Sequence, residues 1–190
     1  MIVGVLAAAG RGTRYGGDKR LAALPDGTPV AVAAARALLD GGLDAVVAVV
    51  RPDDGAVTEA LAAAGAVPVA GTRAARGLGA SIAAGVAARP DAGGWLVALA
   101  DMPWIAPATV AAVAARLRAG APLVRPVRDG VPGHPVGFAA AFGPRLRALD
   151  GDTGGRPILR AEAGRVVPVP VTDPGIHADV DRPDDLPDGA

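Results

Sequence analysis

Three short runs of uninterrupted apolar residues stand out in the first hundred positions: 2–8, 45–50 and 95–100. None alternates with polar positions, which is how strands buried on both faces of a parallel sheet read. Between and after them the spacing predicts helices. Residues 28–39 carry Thr28 as N-cap and Pro29 at the first helical position, with Gly41 and Gly42 past the end. Further helices are predicted over 57–64, stopped by Gly65, over 81–88, entered from a glycine-rich loop, and over 107–117. Short helices follow at 144–149 and 157–163, and additional strands at 67–70, 123–127 and 137–140. A last strand, 166–171, contains Pro168 and Pro170 and is therefore predicted at a sheet edge. Strands alternating with helices imply a mainly parallel sheet covered on both faces, a three-layer α/β/α sandwich. The three main strands are expected to be parallel neighbours with their carboxyl ends on one edge. No linker or repeat divides the chain, so residues 1–190 are expected to form a single domain.

Composition refines this picture at two points. Hydrophobic residues make up 51% of the chain, but only two Trp, one Tyr and two Phe are among them, so Ala, Val and Leu must build the core. Formal net charge is +0, with no block of like charge and no basic stripe interleaved with aromatics, so neither nucleic acid nor an anionic membrane is an expected partner. The absence of cysteine excludes disulfides, thiolate metal sites and a Cys nucleophile, and it fits a reducing compartment. The apolar N-terminus lacks a preceding basic segment and is followed by Arg11 and Arg14, the reverse of a signal peptide. No run of about 18 apolar residues is present to span a membrane. The expected location is cytoplasmic.

Candidate chemistry begins where the first strand ends. Ala8-Ala9-Gly10-Arg11-Gly12-Thr13-Arg14 places small residues where backbone N–H groups can approach a polyphosphate, and Arg14 and Lys19 lie beyond it to offset phosphate charge. The segment is neither a Walker loop nor a clean G-x-G-x-x-G, so a plain β–α turn with two solvated bases is the competing reading. Asp101 stands at the carboxyl end of the third strand, where ligands of open α/β sheets bind, and its carboxylate suits Mg²⁺. Its competing role is to cap the helix after Pro103. Asp179 and Asp181, two apart, face one side if extended, whereas Asp184 and Asp185 fit a helix start. Asp152 and Thr153 lie in a glycine-rich turn of a kind that binds anions but is also an ordinary turn. His134 lies in a Gly/Pro loop, and Trp104 either lines the cleft or packs.

Taken in order, the segments from Ala8 to Lys19, Gly77 to Ser81, Leu99 to Pro103, Gly133 to Phe138, Gly151 to Gly154 and Asp179 to Leu186 resemble the motifs of the nucleotidyltransferases, closest to the molybdenum-cofactor branch. Two departures are visible, Ala7 for the usual Leu and Tyr15 for the usual Phe or Met. The resemblance implies a Rossmann-like sheet of the nucleotide-diphospho-sugar transferase type and transfer of a nucleoside monophosphate from an NTP to a phosphorylated acceptor. It implies that Ala8, Ala9, Gly10, Arg11, Gly12, Thr13, Arg14, Lys19, Gly77, Leu78, Gly79 and Ser81 bind the nucleotide. Arg14, Lys19 and Asp101 would act in catalysis, with Asp101 and Asp181 as Mg²⁺ ligands and Asp179 as the rival for the second place. The acceptor would meet His134, Pro135, Gly137, Asp152 and Thr153. Ala9 matches the cytidylyl type, where the guanylyl type carries Gly, so CTP is expected over GTP and a molybdopterin-type cofactor as acceptor. GTP-dependent molybdopterin, 2-phospholactate or a sugar 1-phosphate are the other acceptor readings, and a cofactor-delivery protein serving a molybdoenzyme is the non-catalytic one. A phosphate acceptor is already an anion at neutral pH, so no general base is required; alignment and charge stabilisation suffice.

Overall fold

The computed structural model describes residues 1–10 and 15–186. Its elements, in chain order, are β1 (Ile2–Ala7), α1 (Val30–Asp40), β2 (Ala45–Val50), α2 (Gly55–Ala63), β3 (Val67–Ala70), α3 (Leu78–Ala87) and β4 (Gly94–Leu99). There follow α4 (Pro107–Arg118), β5 (Leu123–Arg128), β6 (Val131–Pro132), β7 (Val136–Ala139), α5 (Gly143–Arg147), α6 (Arg156–Ala161) and β8 (Val166–Pro170). The three apolar runs are the centre of one sheet. β1 pairs in parallel with both β2 and β4, in the order β3-β2-β1-β4-β7-β5-β6, and β8 pairs β5 from outside this path. The sheet is mainly parallel in its first half. β7 enters antiparallel between β4 and β5, and β5 and β6 form a hairpin. β8, with its two prolines, is an edge strand as expected.

Alternation along each strand divides the core into the two outer layers. Leu6, Ala48 and Leu96 face α1, α2 and α4, whereas Val3, Val47 and Trp95 face α3, α5 and α6. Small residues let these layers close. An added Cβ at Gly85 of α3 would collide with the Val5 side chain, so glycine there sets how near α3 lies to β1. Among the described residues no helix is long and apolar enough to cross a membrane.

Several boundaries differ from the expectation by up to three residues, among them the starts of α1 and α3. Pro29, not Thr28, is the N-cap of α1, because the chain enters the helix through an isolated bridge between Ala23 and Pro29 and the Thr28 carbonyl accepts from Leu24 N–H. α3 begins at Leu78 rather than Ser81, so the glycine-rich segment is itself the first helical turn.

Arg20, which nothing in the sequence pattern singled out, is the most buried cation described, at 2% exposure. It donates to the Ala8 carbonyl and to Asp18 and Asp54. Burial alone would raise the Asp54 carboxyl, but the hydrogen bonds from Arg20 and Arg51 outweigh it and hold the group at about 2. Arg20→Met leaves the Asp54 carboxylate, only 7% exposed, with Arg51 as its remaining cation, so it is expected to cost about 1–3 kcal/mol and lower Tm by about 5 °C. Because the Asp54 value is lower folded than unfolded, its contribution is complete above the ordinary carboxyl value of 3.8 and is lost as pH falls through about 2. Thermal melts between pH 2 and 6 should therefore show a shallower acid limb for Arg20→Met than for the native chain.

Candidate active site

The carboxyl ends of β1 and β4, the amino end of β7 and the C-terminal segment meet at one rim. β4 ends at Leu99 and delivers Asp101 in the following turn. Asp101 does not cap α4. Asp173 takes that role, accepting from Ala106 N–H at 2.8 Å and from the Thr109 hydroxyl at 2.7 Å. The C-terminal segment crosses back and is pinned by Val180 N–H donating to the Asp101 carbonyl at 2.8 Å. Val180 is fully buried, so its neighbours Asp179 and Asp181 both turn toward Asp101. One carboxylate oxygen from each of Asp101, Asp179 and Asp181 lies within 4.8 Å of the others. Both members of the pair left open by the sequence therefore reach the cluster. Asp185 accepts from the N–H groups of Asp181 and Arg182 and Asp184 is exposed, the structural role expected at this terminus.

Lys19 bridges the cluster, its Nζ donating to Asp101 Oδ2 at 2.7 Å and to Asp181 Oδ1 at 2.9 Å. Burial opposes its charge, but the two carboxylates more than compensate and raise its pKa. Burial and the charges of Asp101 and Asp181 raise Asp179. Asp101 Oδ1 is buried and has no hydrogen-bond partner among the described residues. An unpartnered carboxylate oxygen, a neighbour reluctant to ionise and three converging acidic groups fit a hard divalent cation bound through oxygen. Asp101 with Asp179 and Asp181 would hold it.

Two cavities open beside this cluster. One, of about 440 Å³, is lined by Ala9, Gly10, Gly77, Leu78, Ser81 and Asp101. Gly77 takes φ +126°, and a Cβ there would collide with the Asp152 side chain and the Gly151 backbone. Gly79 N–H donates to the Gly151 carbonyl at 2.7 Å, so the glycine-rich start of α3 and the Gly151–Gly154 turn are packed as one wall. Ser81 Oγ turns back to the Gly77 carbonyl at 3.2 Å. Ala8 is buried, its N–H bonded to the Val49 carbonyl at 2.9 Å. Arg11, Gly12, Thr13 and Arg14 lie outside the described residues.

The second cavity, about 250 Å³, adjoins the first across Leu78, Leu99 and Asp152 and is lined further by His134, Phe138, Thr153 and two residues unremarked in the sequence, Arg125 and Arg156. His134 precedes a cis peptide to Pro135, and its N–H donates to the Ile176 carbonyl at 3.1 Å. Burial first, then the charge of Arg125, holds its imidazole down at about 4, so the ring is uncharged at neutral pH. Gly137 does not reach this cavity. A Cβ on it would meet Leu117 of α4 and Val124, on the sheet face opposite to Val136 and Phe138. Trp104 is half-buried, and its carbonyl packs against Gly175.

An α/β sheet with a carboxylate–lysine cluster and paired cavities at its carboxyl rim defines a metal-dependent nucleotidyltransferase acting on a phosphorylated acceptor. The chain belongs to the MobA-like NTP transferase domain family, whose model matches residues 4–166. It is similar in structure to Rv0371c from Mycobacterium tuberculosis H37Rv, at 29% identity over 97% of this chain and 94% of that one, TM-score 0.83. A complex of Rv0371c with manganese superposes with TM-score 0.80 at 27% identity, covering 97% and 95%. A nucleotidyl transferase from Methanothermobacter thermautotrophicus (Mth528) is 26% identical over 97% of this chain and 94% of that one, TM-score 0.81. No curated protein matches the chain.

Proposed function

We propose that the chain transfers a nucleoside monophosphate from an NTP to the phosphate of a small acceptor, using Asp101, Asp179 and Asp181 around a divalent ion. The observation that carries this reading is the convergence of those carboxylates and Lys19 at the larger cavity, which Asp101 lines and which adjoins the smaller one. The larger cavity takes the NTP, with Gly10, Gly77, Gly79 and Ser81 approaching it closely. The smaller one takes the acceptor against His134, Asp152 and Thr153. An acceptor oxygen attacks the α-phosphorus, the bond to the β-phosphate oxygen breaks, and pyrophosphate leaves. Bound Mg²⁺ would offset charge on the triphosphate oxygens. Lys19 supplies fixed positive charge on the leaving-group side, and Arg14, earlier in the sequence, is the second base proposed for that role. The manganese complex of Rv0371c adds support for a divalent ion.

The experiment is a screen of ATP, GTP, CTP and UTP against phosphorylated acceptors with Mg²⁺, read by pyrophosphate release. Release with at least one acceptor is expected. Nucleotide binding without release under any pairing would favour a cofactor-delivery protein.

A finer reading is CMP transfer to a molybdopterin-type cofactor. It is favoured by Ala9, a residue of the larger cavity's lining. A methyl group rejects a purine by collision more readily than it rewards a pyrimidine. Ala9→Gly is therefore expected to raise GTP use while CTP use persists, measured by competition at equal concentrations. A native chain that prefers GTP would overturn the CMP reading and leave nucleotidyl transfer intact.

A further inference from the structure

The smaller cavity holds two cations that no described carboxylate neutralises. Arg125 comes from β5 and is half-buried; Arg156 opens α6 and is exposed at the mouth. Arg20, Arg51, Arg76 and Arg145 each hold a carboxylate within 3.0 Å. Among the described residues Arg125 instead makes only two long bonds, from Nε and Nη2 to the Gly133 carbonyl, both at 3.4 Å. Burial, and then the charge of Arg156, depresses the Arg125 pKa, so the two guanidinium groups feel each other across the cavity. His134 Nδ1 is buried beside them with no partner among the described residues. Bringing two like charges into a partly desolvated space costs free energy that an anion between them returns. Guanidinium groups grip phosphate oxygens in pairs, and a phosphate monoester carries about −1.5 to −2 at neutral pH, which matches two arginines better than a carboxylate does.

We propose that Arg125 and Arg156 form the phosphate subsite of the acceptor cavity, with His134 as a further hydrogen-bonding partner. The inference rests on the transfer reading above and deepens it. Two phosphate oxygens are held by the arginines, and a third is presented across Leu78 and Asp152 to the nucleotide cavity. The apolar wall of Ile82, Val136, Phe138 and Leu159 then takes the body of the acceptor. At about 250 Å³ the cavity suits a compact phosphorylated molecule with an apolar face.

The chain has two histidines, which makes a direct test available. Protein labelled with ¹⁵N-histidine is titrated with inorganic phosphate at constant pH and followed by NMR. The His134 ring signals should shift saturably. Those of His177, which is exposed and bonded to the Val131 carbonyl, should not, and acetate should act more weakly than phosphate. Arg125→Met and Arg156→Met should each weaken phosphate binding about tenfold or more. Arg125→Lys should recover part of the loss, and Arg145→Met, at a pair with Glu162 outside the cavity's lining, should change nothing. In turnover, both Met variants should raise the acceptor KM and leave the NTP KM unchanged. A His134 signal that ignores phosphate, or that responds with native affinity in both Met variants, overturns the subsite. Failure of every acceptor to release pyrophosphate, with arginine-dependent phosphate binding intact, would overturn the transfer reading and leave the phosphate site standing.

Discussion

Asp101→Asn is expected to reduce pyrophosphate release by about a thousandfold while NTP binding weakens only modestly. The substitution keeps the shape of the side chain, so the Val180 N–H to residue 101 carbonyl bond at 2.8 Å and the path of the C-terminal segment should survive. What changes is chemistry at one atom. Oδ1 of Asp101 is a buried oxygen with no described partner, whereas the amide offers less negative charge and can place an N–H donor where a cation would sit. Mn²⁺ binding, followed by electron paramagnetic resonance without any substrate, should weaken in parallel with turnover. The folded state should change little, because Asp101 remains about a quarter exposed on its side chain and Lys19 keeps Asp181 at 2.9 Å. Native turnover in Asp101→Asn would remove the residue from the mechanism. Lost turnover with native Mn²⁺ affinity would assign Asp101 a role other than metal binding.

Much of this site was legible in the sequence because its scaffold is periodic and its chemistry sits at strand ends. β1, β2 and β4 announce themselves as wholly apolar runs, since strands covered on both faces have no polar positions to spare. Asp101 follows from its place just past one of them. The insertion of β7 between β4 and β5 was not legible. Strand order is set by non-local pairing, and the Val136–Ala139 segment contains nothing that specifies an antiparallel neighbour. Asp179 and Asp181 were left as rivals because spacing puts both on one side; only the buried Val180 shows that both turn toward Asp101.

The arginines were hidden for a different reason. Arg125 and Arg156 are single bases in a chain with many, Arg20 sits beside Lys19, and none of them has a period to betray its burial. One signal was available: Arg125 interrupts an apolar strand pattern, and a charge within such a run asks for a partner or a ligand. Gly137 shows the converse. Its motif position suggested the acceptor, but alternation along β7 sends it to the α4 face while Val136 and Phe138 line the cavity.

Lys19→Ala is expected to slow pyrophosphate formation about a hundredfold, by analogy with removing one preorganised donor to developing charge. The structure adds a second expectation. In the free protein Lys19 is tied to Asp101 at 2.7 Å and Asp181 at 2.9 Å, so it neutralises part of the same cluster that would hold the metal. Removing it leaves three acidic groups within 4.8 Å of one another with less opposing charge, so Mn²⁺ affinity should stay equal or rise even as turnover falls. The raised pKa of Lys19 keeps its ammonium charged across the neutral range, so this residue should not impose a pH limit on activity there. Opposite movements of turnover and Mn²⁺ affinity separate a lysine acting on phosphate charge from one that merely holds carboxylates in place. If Lys19 were only such a tether, Mn²⁺ affinity and turnover would fall together. If only the acceptor KM changed, the residue would belong to the acceptor side of the site.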